Sequence, residues 1–168
     1  MTAYIVSISM LILFLLAVGA FFSMTETAFT SLSRIKVRQL QKEKARHADL
    51  IAKLRSNLDE LIATVLIGTN FVNTFNSAVT TAFAVKVLGA EYVSAATAVI
   101  LFLVIIFVEI VPKTFAAINT ETAVKNTAIP VYLIKAVLYP VVKTFCLFTR
   151  FIDFAEKDIR YTLIDEAI

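Results

Sequence analysis

A single carboxylate within an apolar stretch is the residue of this sequence best suited to ion chemistry. Glu109 stands in F-V-E-I-V-P-K, inside a segment that is otherwise free of charge. A charged side chain at mid-bilayer costs about 2.5–3.5 kcal/mol on insertion scales, and such residues usually mark an ion path or a relay. Pro112 has no amide hydrogen, so in an α-helix the carbonyl of Val108 would lose its partner. The carboxylate and the freed carbonyl are both hard oxygen ligands, which suit magnesium or calcium.

A second apolar stretch contains a polar stripe at helical spacing. The stripe consists of Asn70, Asn73, Ser77, Thr80 and Thr81. Asparagine amides are oxygen donors to cations, and Gly68 just before them could loosen the helix and expose further carbonyls. The alternative is that these side chains only join helices, since such hydrogen bonds contribute roughly 0.6–2 kcal/mol each in membranes.

A third polar set ends the first apolar stretch, in S-M-T-E-T-A-F-T-S. Ser23 could supply a hydroxyl ligand, with Glu26 as a further ligand or a gate. Both acidic residues also have a simpler interpretation as members of ion pairs. Glu26 could pair with cations of the segment that follows it, and Glu109 with Lys113, four residues later.

The composition is that of an integral membrane protein. The sequence has 59% hydrophobic and 17% charged residues and a mean hydropathy of +0.82, whereas soluble domains have roughly 45–50% apolar and 25% charged residues. Its continuous apolar runs predict helices rather than barrel strands. The cations cluster beside these runs, so we expect no nucleic-acid partner. The single cysteine, Cys146, excludes an intrachain disulfide and a thiolate metal cluster.

Three stretches are long enough to cross a bilayer, which takes about 20 apolar residues. They are residues 3–24, 61–85 and 92–112. A cleaved signal peptide is the alternative for the first stretch. Because no positive leader precedes Tyr4, we expect a retained span.

Two further segments are predicted to be amphipathic. Residues 34–60 place apolar side chains at three- and four-residue steps among many charges, which predicts one or two helices at the membrane surface. Residues 129–154 are apolar but interrupted by Pro130, Pro140 and three cations, which favours a juxtamembrane helix broken at the prolines over a fourth span. We therefore assign residues 1–152 to a transmembrane domain and residues 153–168 to the start of a linker.

The distribution of cations predicts the orientation. The loop after the first span has eight cations, the loop after the second has only Lys86, and the segment after the third has seven. By the positive-inside rule the N-terminus faces outside, and the first loop and the C-terminus face the cytoplasm. The expected location is the plasma membrane, with the lipid bilayer as a partner.

Three motifs, in this order and spacing, resemble the membrane domain of the CorC/CNNM family. They read S-M-T-E-T-A-F-T-S-L-S-R, L-I-G-T-N-F-V-N and F-V-E-I-V-P-K-T, and the similarity extends from about Phe22 to Phe151. The resemblance implies a homodimer of three-span protomers that exports Mg²⁺, coupled to Na⁺ entry. It also implies an ion site formed by a serine, an asparagine and a glutamate, which by motif are Ser23, Asn70 and Glu109.

Other positions of the motifs match as well, and some depart. Asn73, Glu26, Pro112 and Lys113 match characteristic positions of the family, whereas Val108 replaces a glycine that would permit a close backbone approach. The family's membrane domain is usually followed by a cytoplasmic CBS pair that binds adenine nucleotide. This sequence holds no such pair, so we expect nucleotide to act only through domains outside it.

The sequence thus predicts an all-α integral membrane protein with three transmembrane helices, amphipathic juxtamembrane helices and a homodimeric assembly. Its expected function is magnesium transport. The alternative is a magnesium-binding membrane sensor or adaptor without transport activity. We expect no enzymatic activity, because no H-E-x-x-H motif, membrane aspartate pair or nucleophile–base pair is visible.

Overall fold

A computed structural model describes residues 2–87 and 89–165, with side chains as far as Thr144. Within these ranges every regular element is a helix, as predicted. The α-helices are α1 Thr2–Ser31, α2 Arg34–Lys42, α3 Ala48–Ser56, α4 Leu58–Val87, α5 Val93–Leu103, α6 Val111–Ile118 and α7 Thr120–Asp165. A 3-10 turn, Ala90–Tyr92, precedes α5, and a π-helical segment, Val104–Ile110, joins α5 to α6.

The long helices α1 and α4 form an antiparallel pair. At one end of the pair, the ammonium of Lys86 near the end of α4 lies 3.8 Å from the ring centroid of Tyr4 near the start of α1. Towards the other end, the outer end of the Phe22 ring of α1 packs on Gly68 of α4, so closely that a Cβ on Gly68 would lie within 3 Å of three ring atoms. The absence of a side chain at Gly68 therefore sets how closely the two helices approach.

Helices α2 and α3 form the charged layer at one end of this pair, and both amphipathic helices predicted for residues 34–60 are present. Their apolar residues at helical spacing are buried: Val37, Leu40, Ala48, Ile51 and Leu54. The Ser33 hydroxyl accepts a hydrogen bond of 3.1 Å from the Lys36 amide and so caps the start of α2. Arg55 of α3 donates to the Leu32 carbonyl at 2.9 Å, which fixes α3 to the end of α1.

Among the described residues three helical stretches are long and apolar enough to cross a membrane. Two of them contain the predicted first and third spans, whereas the remaining one differs from the predicted second span. The three stretches are Thr2–Ser31, Ala90–Ile118 and Thr120–Thr144. The predicted second span lies in α4, which has 30 residues and is therefore long enough. Its asparagine, threonine and serine side chains lower its mean hydropathy and keep it out of this set.

Helix α7 corrects a second prediction, because it is not broken at its prolines. Both Pro130 and Pro140 lie inside one continuous helix. An interior proline removes one helical hydrogen bond and costs about 3 kcal/mol in an isolated helix. Packing compensates here, since the first half of α7 has one face without any exposure to solvent: Ala123, Val124, Ala128 and Val131. The backbone of α7 is helical to Asp165, and residues 166–168 of the predicted linker lie outside the described residues.

Two ion pairs place the first half of α7 across the charged end of the bundle. Glu121 lies 2.9 Å from the Lys36 ammonium of α2, and Lys135 lies 2.8 Å from the Glu60 carboxylate at the start of α4. Along α7, Glu121 and Lys135 are roughly 21 Å apart at the usual helical rise. Because both partners belong to the same end of the α1–α4 pair, residues 121–135 of α7 run across that end. The juxtamembrane position of α7 stays a prediction, because Thr120–Thr144 is also long and apolar enough to cross a membrane.

Candidate cation site

Three helices meet at Gly19, about two-thirds of the way along α1. A Cβ on Gly19 would lie 2.8 Å from Val108 Cγ1 of the π-helical segment and 3.7 Å from the Asn73 amide oxygen of α4. Val108 is almost completely buried, with 1% exposure. Val108 stands where the family has a glycine and was expected to prevent a close approach of helices. Gly19 of α1 makes the close approach of α1 and the π-helical segment possible instead.

The π-helical segment places Glu109 immediately after this contact. In this segment the Val111 amide donates to the Ile106 carbonyl, five residues earlier, rather than to the usual fourth. Such wide turns are rare and occur frequently at functional sites. The α-helical register resumes in α6, where Pro112 stands in the first turn. The sequence predicted a regular helix here, and the π-helical segment replaces it.

The side chain of Glu109 has no cationic partner among the residues whose side chains are described. Lys113, the expected helical partner, instead lies 3.4 Å from the Glu26 carboxylate of α1. Glu109 itself is exposed on the surface of a single chain. The interpretation of Glu109 as one half of a local ion pair is therefore wrong. Glu26 does form an ion pair, but with Lys113 rather than with Arg34 or Lys36 of the segment that follows it.

Ser23 and Glu109 lie at a similar depth in the bundle. Gly19 of α1 contacts Val108, and further along α1 Glu26 contacts Lys113. Because the two contacts follow in the same order along both helical stretches, α1 and the α5–α6 stretch run in the same direction. Ser23 precedes Glu26 by three residues and Glu109 precedes Lys113 by four, so each lies about one helical turn from the ion pair. The Ser23 side chain is buried, with 3% exposure.

The asparagines of α4 lie beside this level but on different faces. Asn73 is half-buried beside Gly19, and Asn70 is exposed on the surface of the chain. Asn70 is three residues before Asn73 and therefore lies about 4.5 Å nearer to the charged end of the bundle. Because α4 is antiparallel to α1, this brings Asn70 nearer than Asn73 to the level of Ser23. Gly68 does not loosen the helix as expected, since α4 is continuous through it and the Phe22 ring occupies the space above it.

Sequence reasoning missed two features of this region. The first is Gly19, which has no motif to mark it and is identified only by its contact with Val108. The second is the inward position of Thr69 and Asn76 on α4, whose side-chain oxygens are buried without hydrogen-bond partners, like that of Thr80 in the predicted stripe. Together with Asn73 these residues follow one another at steps of four, three and four, a spacing that would have indicated a single inward face.

The chemistry of the region is that of hard oxygen ligands. Among the residues whose side chains are described, no group of three histidine, cysteine, aspartate or glutamate residues comes together. A cation at this level would therefore meet one carboxylate with amide, hydroxyl and carbonyl oxygens. Such a set suits magnesium or calcium rather than copper or structural zinc, and its single charge allows binding weak enough for release.

Comparison with known proteins identifies the family. Residues 10–164 match the family model described as the Cyclin M transmembrane N-terminal domain, CNNM. A chloroplastic DUF21 domain-containing protein of Arabidopsis thaliana is 39% identical over 127 residues, which are 76% of this chain and 19% of that protein. The UPF0053 inner membrane protein YfjD of Escherichia coli (strain K12) is 34% identical over 133 residues, 79% of this chain and 31% of that protein.

A UPF0053 protein of Haemophilus influenzae is 33% identical over 136 residues, 80% of this chain and 32% of that protein. The chain thus spans between about a fifth and a third of the length of these relatives. Since the family model covers most of the chain and agrees with the resemblance of its three motifs, the chain belongs to the Cyclin M (CNNM) transmembrane domain family, which includes the UPF0053 and DUF21 proteins of CorC/CNNM type.

Proposed function

We propose that this chain is the membrane part of a divalent-cation transporter that moves Mg²⁺, with Ser23, Asn70 and Glu109 as its ligands. The observation that supports this most directly is the meeting of α1, α4 and the π-helical segment at Gly19. In the proposal, the carboxylate of Glu109, which follows Val108 directly, acts together with the neutral oxygens of α1 and α4. Asn73 is a further ligand in this proposal, and Glu26 with Lys113 forms a gate below the site.

The proposed orientation places α2, α3 and the first half of α7 at the cytoplasmic face of the plasma membrane. These elements and the loop between α2 and α3 hold ten of the sixteen Lys and Arg residues among the described residues, and cytoplasmic segments are enriched in Lys and Arg. In this arrangement α4 crosses the membrane beside α1 despite its polar side chains. The ion pair of Glu26 with Lys113 then lies between Glu109 and the cytoplasm.

We propose a homodimer, and the exposed polar side chains of the single chain support it. Asn70, Ser77, Thr81 and Glu109 are all exposed on it, and polar side chains within a membrane are rarely left against lipid. A second copy would cover them, with hydrogen bonds between helices as the attraction. Because both copies share one orientation, the symmetry axis runs along the membrane normal.

Transport, coupling and the role of Glu109 are tested together in reconstituted vesicles. Wild-type protein is expected to move Mg²⁺ out of vesicles, faster when Na⁺ is higher outside, and Glu109→Gln is expected to abolish the flux. Glu91→Gln makes the same change in an exposed carboxylate beside α5 and is expected to retain it. Absence of Mg²⁺ flux from the full-length protein, with Mg²⁺ binding intact, would instead favour the sensor or adaptor.

A further inference from the structure

The inward face of α4 holds polar atoms that the proposed ligands leave unused. Thr69 Oγ1, Asn76 Oδ1 and Thr80 Oγ1 are buried and have no hydrogen-bond partner. The side chains of Asn76 and Thr80 are only 2% and 4% exposed. In a membrane protein such groups are costly unless water or an ion satisfies them.

The two threonines differ from other buried threonines of the chain. The hydroxyls of Thr25, Thr64 and Thr127 each donate to the carbonyl four residues earlier, at 2.7–2.8 Å. Thr69 and Thr80 make no such bond, although both lie inside a continuous helix where that carbonyl is within reach. Their hydroxyl oxygens are therefore available to another partner.

The free oxygens form a ladder that starts at the candidate site. Thr69, Asn73, Asn76 and Thr80 share one face of α4 and follow one another by about one helical turn. Asn73 stands at the Gly19 contact, and Asn76 and Thr80 lie roughly 4.5 and 10.5 Å further from the charged end of the bundle. Asn73, Asn76 and Thr80 thus run from the level of Glu109 towards the opposite side of the membrane, whereas Thr69 lies about 6 Å from Asn73 in the direction of the charged end.

We propose that Asn76 and Thr80 form a second cation station through which the transported Mg²⁺ passes beyond the Glu109 site. The proposal rests on the proposed transport function. The station has only neutral oxygens, so it holds the cation more weakly than the Glu109 site and exchanges it quickly. Water fills the remaining coordination positions, since Mg²⁺ gives up its hydration shell reluctantly.

If the station exists, variants of its residues should lower Mg²⁺ transport without changing Mg²⁺ binding at the Glu109 site. Asn76→Leu and Thr80→Val remove the oxygens at nearly constant volume and replace unpaired polar atoms by apolar ones, so both proteins should fold. Each is expected to lower Mg²⁺ flux in vesicles by at least about tenfold, the effect of losing one interaction of about 1.4 kcal/mol. Mg²⁺-dependent thermal stabilisation, which reports on the Glu109 site, should stay as in wild type.

Two further variants serve as controls. Thr80→Ser keeps the hydroxyl and should transport normally. Val79→Leu lies between Asn76 and Thr80 along the helix but on the side packed against the apolar core, and it should also transport normally.

Wild-type flux in both Asn76→Leu and Thr80→Val would overturn the station while leaving the transport function standing. Loss of Mg²⁺ stabilisation in both variants, as in Glu109→Gln, would also overturn it, because the residues would then belong to the first site. Failure of the transport function itself differs from both, since wild-type protein would then show no flux.

Discussion

Replacement of Gly19 by alanine would place a methyl group in the space that Val108 now occupies. The new Cβ would lie 2.8 Å from Val108 Cγ1, whereas carbon atoms in contact are about 3.5–4.0 Å apart. Val108 must therefore retreat by about 1 Å. The same Cβ would be 3.7 Å from the Asn73 amide oxygen, which is an ordinary contact, so the π-helical segment is the part that moves.

The displacement should affect both stability and cation binding. Overpacking of a filled core costs about 1–3 kcal/mol. Since Glu109 follows Val108 directly, its carboxylate moves away from α1 and α4 together with the valine. Each 1.4 kcal/mol lost from binding is about tenfold in affinity, so we expect Gly19→Ala to weaken Mg²⁺ binding by about ten- to a hundredfold.

The assay is thermal unfolding of purified protein in detergent, titrated with Mg²⁺. Gly19→Ala should unfold at a lower temperature and need more Mg²⁺ for the same stabilisation, and the second change Val108→Ala should restore much of both. Ala17→Val adds bulk on an exposed side of the same helical turn and is the matched control. If Gly19→Ala bound Mg²⁺ like wild type, or if Val108→Ala brought no recovery, the contact at Gly19 would not position Glu109.

Two other predictions concern the packing around the site. Gly68→Ala should lower the free energy of unfolding by about 1–3 kcal/mol, because the methyl group meets the Phe22 ring. The second change Phe22→Leu should reduce this loss of stability. If the effects of the two changes were additive in a double-mutant cycle, the contact between Gly68 and Phe22 would be contradicted. Lys135→Glu should lower the unfolding temperature and detach α7 from the start of α4, because it places two carboxylates where an ion pair of 2.8 Å now stands. The second change Glu60→Lys in the same protein should restore the unfolding temperature. Failure of the double charge reversal to recover stability would show that Lys135 and Glu60 do not interact.

The helical class and the charged layer could be predicted because they depend on local patterns. The apolar periodicity of residues 34–60 places Val37, Leu40, Ile51 and Leu54 on one face, and these side chains are buried in α2 and α3. The continuity of α7 could not be predicted, because a proline breaks an isolated helix, whereas Pro130 and Pro140 lie in a helix whose first half is held by packing.

The site could be predicted only in its residue types. Glu109 and the asparagines stand out in a sequence as polar groups among apolar ones. The π-helical turn and the contact of Gly19 with Val108 depend on residues 89 positions apart, and no local pattern records such a pairing. For the same reason Lys113 was assigned to Glu109, its neighbour along the helix, whereas its partner in space is Glu26.

The most direct test of the account is a Mg²⁺ titration of the unfolding temperature of wild-type protein beside Glu109→Gln. A ligand that binds only the folded state raises stability with its concentration. If Glu109 holds the cation, the unfolding temperature of wild-type protein rises with Mg²⁺ concentration and saturates. The unfolding temperature of Glu109→Gln equals that of wild type without Mg²⁺ and does not rise over the same concentration range. An equal rise in both proteins would mean that the cation binds elsewhere, and the carboxylate at position 109 would lose its assigned role.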